Sequence, residues 1–165
     1  MKHPLLLTAS PILTAIAIAG CGGSSTHLSH FTALRAHPAP TGSAAKVTLA
    51  HSAVGNYLAD GRGRALYLFE ADKSTQSTCY SACASIWPPF TTIGGAKPGS
   101  GVIAALLGTS RRTDGTTEVT YKGHPLYYYA GDSGPAQTTG QGLNQFGAKW
   151  YLLAANGNKI AGNGG

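Results

Sequence analysis

One pattern occurs twice in this chain and restricts its fold more than any other feature. Gly63-Arg64-Ala65-Leu66-Tyr67-Leu68-Phe69-Glu70-Ala71-Asp72 is matched by Gly123-His124-Pro125-Leu126-Tyr127-Tyr128-Tyr129-Ala130-Gly131-Asp132. In each copy a glycine precedes an apolar residue and a tyrosine, a second aromatic stands two positions on, and an aspartate closes the run. A tryptophan follows each copy, Trp87 and Trp150. Duplication at matched offsets implies two similar structural units packed on each other, because one such unit cannot bury its apolar face alone. The alternation places Tyr67 with Phe69, and Tyr127 with Tyr129, on one face of an extended strand.

The segments around the motifs read as short strands separated by turns. Val47 to His51 alternates apolar and polar residues, and Asn56 to Ala59 leads into Asp60-Gly61-Arg62-Gly63, a strong hairpin signal. Arg64 to Glu70 suits a strand buried on at least one face. A short helix is expected near Tyr80 to Ile86, ended by Pro88-Pro89. Gly101 to Leu107 fits a strand or a short helix equally well. Asp114-Gly115 and Lys122-Gly123 mark two further turns, a glycine-rich loop runs from Gly131 to Gly147, and Trp150 to Leu153 closes the domain. The expected fold is mostly β, a single small domain of two related hairpin repeats with a short helical turn over residues 46–165.

The N-terminus has a different character. Lys2 precedes an uncharged apolar run from Leu5 to Ala19 that ends at Gly20-Cys21. A positive start, a short apolar run and small residues before the junction describe a secretory signal peptide. The run is too short for a bilayer span, and Pro11 interrupts it. Ile18-Ala19-Gly20-Cys21 looks like a bacterial lipobox, which makes residues 1–20 a lipoprotein signal peptide and Cys21 the lipidated first residue of the mature chain. Two or three acyl chains, palmitate among them, give a lasting membrane anchor where one does not. Residues 21–45 are rich in Gly, Ser, Ala, Thr and Pro and read as a flexible linker. The chain is therefore expected on the outer side of a bacterial membrane, in the cell envelope.

Cysteine usage agrees with export. Cys79 and Cys83 are the only cysteines after Cys21. In an oxidising compartment they are expected to pair as a disulfide, closing a small loop that pins a local turn.

The duplicated residues resemble the bacterial secreted-repeat lipoproteins that carry a Yx(FWY)xxD motif. Tyr67 to Asp72 and Tyr127 to Asp132 both fit it in full, and Trp87-Pro88-Pro89 and Trp150-Tyr151 add to the likeness. The resemblance covers about Val47 to Ile160. It implies two repeats on one small domain, and it implies no reaction, because the family is named for its repeat.

Two roles are open for Asp72 and Asp132. They can accept backbone N–H groups of the turns that follow, or they can form paired ligand sites with the Ser/Thr-rich loops. A hard cation wants more oxygens than one carboxylate per loop supplies, so no metal site is assigned and no cofactor is implied. Because Tyr127, Tyr128 and Tyr129 alternate faces, at least one points away from its neighbours, and an exposed one would mark a place for a ligand. Lys and Arg number 12 against 6 Asp and Glu, and loss of Lys2 with the signal peptide leaves a formal excess of five. That charge is scattered rather than clustered with aromatics, which argues against nucleic acid. The excess reads first as an ordinary solvated surface and next as weak attraction to anionic lipid headgroups or wall polymers; the expected partners are the membrane, through the lipid anchor, and cell-envelope polymers or proteins. His51 and His124 stand in no nucleophile–base arrangement, so the chain is not read as an enzyme. The expected function is a non-catalytic binding or envelope-structural module. The alternative is a metal- or cofactor-binding module in envelope redox or metal handling, using Asp72, Asp132, His51 and His124.

Overall fold

The computed structural model describes residues 42–161. The expected signal peptide, the lipidation site Cys21 and nearly all of the expected linker lie outside the described residues. Nine short strands are described: β1 (Lys46–Ser52), β2 (Gly55–Asp60), β3 (Tyr67–Phe69), β4 (Lys97–Pro98), β5 (Leu107–Arg111), β6 (Thr117–Tyr121), β7 (His124–Pro125), β8 (Asn144–Gln145) and β9 (Ala148–Leu152). A five-residue helix, α1 (Ala82–Ile86), stands where the sequence points to one, and Gly101 to Leu107 resolves into a 3₁₀ turn (Ala104–Leu106) leading into β5. No helix among the described residues is long and apolar enough to cross a membrane.

The strands form three small sheets, in the orders β2-β1-β4, β3-β9-β8 and β5-β6-β7. Two hairpins organise them. β1 and β2 pair antiparallel from Val47↔Asp60 to Ser52↔Gly55, and β5 and β6 pair from Leu107↔Tyr121 to Arg111↔Thr117. The turn after β2 is held by Asp60, whose Oδ1 accepts the amides of Arg62 (2.8 Å) and Arg64 (2.9 Å). The turn after β6 uses left-handed backbone at Lys122 and Gly123 (φ 49° and 82°), the pairing that a two-residue hairpin turn requires.

The two repeats are interleaved rather than stacked side by side. β3, which carries the first motif, pairs with β9 of the second repeat through Tyr67↔Leu152, Leu68↔Tyr151 and Phe69↔Trp150. In return the second motif pairs with the first repeat's Trp-Pro-Pro segment, through Pro89↔Tyr127 and the bond from Tyr128 N–H to Pro88 O (2.8 Å). At the centre the two motif tyrosines pair with each other. Tyr67 N–H donates to Tyr127 O (2.8 Å) and Tyr127 N–H donates to Tyr67 O (2.9 Å). Flanking bonds match as well: Leu58 N–H donates to Leu153 O, and Val119 N–H donates to Phe90 O (both 2.9 Å).

β3 is buried on both faces, and its alternating side chains enter two cores. Tyr67 and Phe69 join Tyr57, Trp87, Tyr127 and Trp150 in one; Leu66 and Leu68 join Leu58, Phe90, Val119 and Leu126 in the other. The first core is built on a column of rings. Phe69 stacks on Trp150 (centroids 4.0 Å) and Trp150 on Trp87 (4.0 Å), and Tyr129 lies against Trp87 at 4.5 Å, tilted by 34°. Each motif tyrosine meets its own repeat's tryptophan edge-on, Tyr67 against Trp87 at 5.4 Å and Tyr127 against Trp150 at 5.2 Å. Edge-to-face and offset pairs of this kind add about 0.5–1.5 kcal/mol each beyond area burial.

Gly140 closes over this column. A Cβ there would lie 2.9 Å from the Trp87 ring and 3.0 Å from the Tyr67 ring, and both rings are fully buried and unable to move aside. Gly140→Ala is therefore expected to destabilise the domain by about 1–3 kcal/mol through overpacking. Gly134→Ala, where a Cβ meets nothing within 4 Å, should shift the midpoint of denaturant unfolding little. Equal midpoints for the two variants would contradict this account.

Candidate functional site

The duplicated motif turns out to be a crossed lock. The Tyr67 hydroxyl donates to Asp132 Oδ2 (2.6 Å), and the Tyr127 hydroxyl donates to Asp72 Oδ2 (2.6 Å). Each tyrosine thus binds the aspartate of the other repeat. The remaining oxygen of each carboxylate holds its own loop: Asp72 Oδ1 accepts the Thr78 amide and hydroxyl (both 2.7 Å), and Asp132 Oδ1 accepts the Thr139 amide (2.9 Å) and hydroxyl (2.6 Å). Both carboxylates are buried, at 5% and 3% exposure. An unpaired carboxylate buried so deeply would cost several kcal/mol. Three short charge-assisted bonds at about 1.5–3 kcal/mol each are enough to offset that. Burial, and next the hydrogen bond to Asp132, push the Tyr67 phenol above its usual range, so it remains a donor. Burial does the same at Tyr127, reinforced by the negative charges of Glu118 and Asp72.

Of the two roles open to the aspartates, the turn-holding one is therefore present, and the sequence did not disclose the crossing to the opposite tyrosine. Among the described residues no group of three or more His, Cys, Asp or Glu side chains converges to hold a metal. His51 instead meets Asn56 Oδ1 through Nδ1 (2.9 Å) on the β1–β2 hairpin. Cys79 and Cys83 are bridged, with Cα atoms 5.2 Å apart. None of Tyr127, Tyr128 and Tyr129 is freely exposed. Tyr128, which points away from its neighbours, donates to Asp60 Oδ2 (2.9 Å) while the Arg64 guanidinium lies 4.3 Å over its ring.

One half of the lock extends into a buried polar network that sequence reasoning did not find. Arg112, only 3% exposed, donates through Nη1 to Glu118 Oε2 (2.8 Å) and Ser77 Oγ (2.7 Å), and through Nη2 to Cys79 O (2.7 Å). The Ser77 hydroxyl in turn lies 2.6 Å from the Tyr127 hydroxyl. Arg112 also donates to Asp114 (3.1 Å) and stacks over Tyr80 (4.3 Å). Glu118 is fully buried with Oε1 unpartnered, and Tyr57, at the matching place in the first repeat, has an unpartnered hydroxyl. The adjacent pair Arg111-Arg112 is the one visible signal in the sequence, and it does not say which arginine turns inward.

Beside the first motif an open cleft of about 850 Å³ lies between the turn after β3, the β6–β7 turn and residues 157–159. Lys73, Lys122, His124, Lys159 and Glu70 face it, together with Asp72, whose carboxylate is already committed. Lys122 donates to Asn158 Oδ1 (2.6 Å), Lys73 to the Glu70 carbonyl (2.7 Å), and Lys159 to Glu70 Oε1 (2.5 Å). Gly157 lets the Lys122 stem pass, since a Cβ there would fall 2.6 Å from it. Burial and then the Lys122 charge pull the His124 ring below its usual pKa, while Asp72 pulls the other way.

The lock makes a directional prediction. Tyr67→Phe and Tyr127→Phe should each cost about 1–3 kcal/mol, because each leaves a buried carboxylate oxygen short of a donor. In double-mutant cycles Tyr67→Phe should couple to Asp132→Ala, and with Asp72→Ala it should be additive to within about 0.5 kcal/mol. Coupling within a repeat instead of across repeats would refute the crossing.

Burial raises the Glu118 carboxyl from 4.5 to about 7, against the opposing pull of Arg112. Between those values the folded state takes up the proton more readily than the unfolded state. This stabilising contribution is full at low pH and is lost as pH rises toward 7. His124 acts in the opposite sense, since its depressed pKa removes stability as pH falls below 6.5. Comparison with Glu118→Gln isolates the glutamate, because the cost of leaving Arg112 short of a counter-ion does not vary over this range. Unfolding free energy of the parent, relative to the variant, should decline from about pH 5 to pH 7; parallel profiles would contradict it.

Residues 48–91 and 108–154 each match the family model described as a secreted repeat of unknown function, and together they take in more than half of the chain. No curated protein and no solved structure matches it. Each matched segment contains one hairpin, one motif and the tryptophan that follows, which is the interleaved unit of the fold. The chain belongs to this family of secreted repeats and is an extracytoplasmic protein.

Proposed function

We propose that the protein is a non-catalytic binding module, held at the outer face of a bacterial membrane by acyl chains on Cys21 and working through the cleft beside the first motif. One observation carries the binding reading. Both motif carboxylates and both motif hydroxyls are spent on each other, while the adjoining cleft, fixed in place by that lock, presents charged side chains to solvent. A rigid frame under a solvent-facing set of polar groups is the arrangement of a binding site.

The non-catalytic part rests on the chemistry of the same residues. His51 is occupied by Asn56, His124 lies among lysines, and Cys79 and Cys83 are oxidised to a disulfide. The anchoring part rests on Ile18-Ala19-Gly20-Cys21 and the apolar run before it. The linker that follows would let the domain stand clear of the headgroups.

Two measurements test this function. Protein extracted from membranes should begin at Cys21 and carry the mass of a diacylglyceryl group with an amide-linked acyl chain. Unacylated full-length chain in the cytosol would end the anchoring claim. Hydrogen exchange on the full chain, with and without solubilised envelope polysaccharide, should show protection confined to residues 70–75, 122–124 and 157–159. Unchanged exchange in those segments would end the binding claim.

A further inference from the structure

A second hollow, of about 600 Å³, adjoins the cleft; Glu70 and Lys73 line both, and Lys149 lines the second. The two make one trough along which Lys149, Lys73, Lys159 and Lys122 are distributed. These lysines come from four separate segments: β9, the turn after β3, the C-terminal turn and the β6–β7 turn. The described chain has only two other lysines, Lys46 and Lys97, and these sit side by side on β1 and β4. We infer that this trough takes a linear anionic polymer bearing phosphate or carboxylate groups at intervals along its backbone. The inference rests on the binding reading above and names the ligand class for the same site.

The balance of charge favours an anion. Glu70 is the one acidic side chain in the trough with an uncommitted oxygen, and it is already paired to Lys159. Asp72 has no oxygen to spare. The amines of Lys73 and Lys122 rest on a carbonyl and a side-chain amide, which orient them without neutralising them.

The shape of the trough favours a polymer. A small ligand is usually enclosed over most of its surface, whereas this trough is open and its charges are strung out. An exposed ammonium–anion contact is weak, so a single phosphate gains little and a chain that meets several amines in succession gains affinity through each one. Among the described residues no Phe, Tyr or Trp ring lines either hollow and His124 supplies the one imidazole, so the surface offers no run of rings on which neutral sugars or bases could stack in succession.

The test uses the full chain in neutral detergent. Its probes are orthophosphate, tripolyphosphate, long-chain polyphosphate, polygalacturonate and phosphatidylglycerol vesicles. Affinity should rise with chain length and fall with salt. It should drop about tenfold in Lys73→Gln/Lys122→Gln/Lys159→Gln, the loss expected of three exposed ion contacts of middling strength, and hold in Lys46→Gln/Lys97→Gln. In the parent protein, His124 ring resonances should titrate at higher pH once the polymer is bound, a readout that needs no variant. Polyphosphate and polygalacturonate separate phosphate from carboxylate as the preferred group, and a preference for either supports the inference. Undiminished binding by the triple variant, no gain from orthophosphate to polyphosphate, or tighter binding to vesicles than to polymers would each overturn it. If no anion binds while envelope polysaccharide still protects the three cleft segments, this inference falls and the binding reading stands.

Discussion

Two buried hydrogen bonds, each from a tyrosine of one repeat to an aspartate of the other, set the geometry on which the rest of this fold depends. They are short, they end on carboxylates removed from water, and they lie beside the backbone pairing of Tyr67 with Tyr127. Because each aspartate also holds the loop that follows it, one interaction fixes both the register of the two repeats and the course of the two longest irregular segments. The ring column from Phe69 to Tyr129 packs against the same tyrosines. Losing one hydroxyl would leave a carboxylate short of a donor where water cannot substitute for it.

The two halves share this lock and differ in what surrounds it. The loop after Asp72 is closed by the Cys79–Cys83 bridge and by Arg112, which grips Cys79 O. The longer loop after Asp132 has no bridge and is tied by glutamines instead. Gln137 accepts the Ser133 and Gly134 amides, and Gln141 joins Leu152 N–H to Ile160 O. At matching positions Glu118 and Tyr57 show the same divergence, an ion-paired acid in one half and a neutral phenol in the other. The conserved part of the arrangement is the set of groups that crosses between repeats. Of the parts that differ, the disulfide and the glutamine ties lie within one half, while Arg112 reaches from the second repeat to Ser77 and Cys79 O of the first with no counterpart running back.

Local pattern disclosed much of this. Strand alternation placed Tyr67 with Phe69 and Tyr127 with Tyr129, the Asp-Gly and Lys-Gly pairs gave the turns, and spacing in an exported chain gave the disulfide. Duplication gave the two repeats, and the turn-holding role of Asp72 and Asp132 followed from their position after the strands. Partner choice across the molecule was not legible. Nothing local says that Tyr67 meets Asp132 instead of Asp72, because that choice is made by β3 pairing with β9. Arg112 was hidden for a similar reason: next to Arg111 it reads as surface charge, and only the placement of Ser77 and Glu118 turns it inward. The lysines of the trough are isolated in sequence, so their convergence belongs to the fold. The alternation of Tyr127, Tyr128 and Tyr129 said that one of them points away from the others but not what meets it; that one is Tyr128, and Asp60 and Arg64 from the other hairpin occupy it.

Interleaving has a consequence for how such a protein can be divided. A chain with a single unit would be left with a hairpin that is marginal in water, its tryptophan would lack the facing ring and its aspartate would lack a hydroxyl donor. A second copy turned about a twofold axis supplies both, since the crossed Tyr–Asp bonds and the central Tyr67–Tyr127 pairing each have a counterpart running the other way. Two half-molecules therefore have in this core the complementarity of an isologous pair. Fusion changes the entropy of association and frees each half to diverge, as Glu118 and Tyr57 have done.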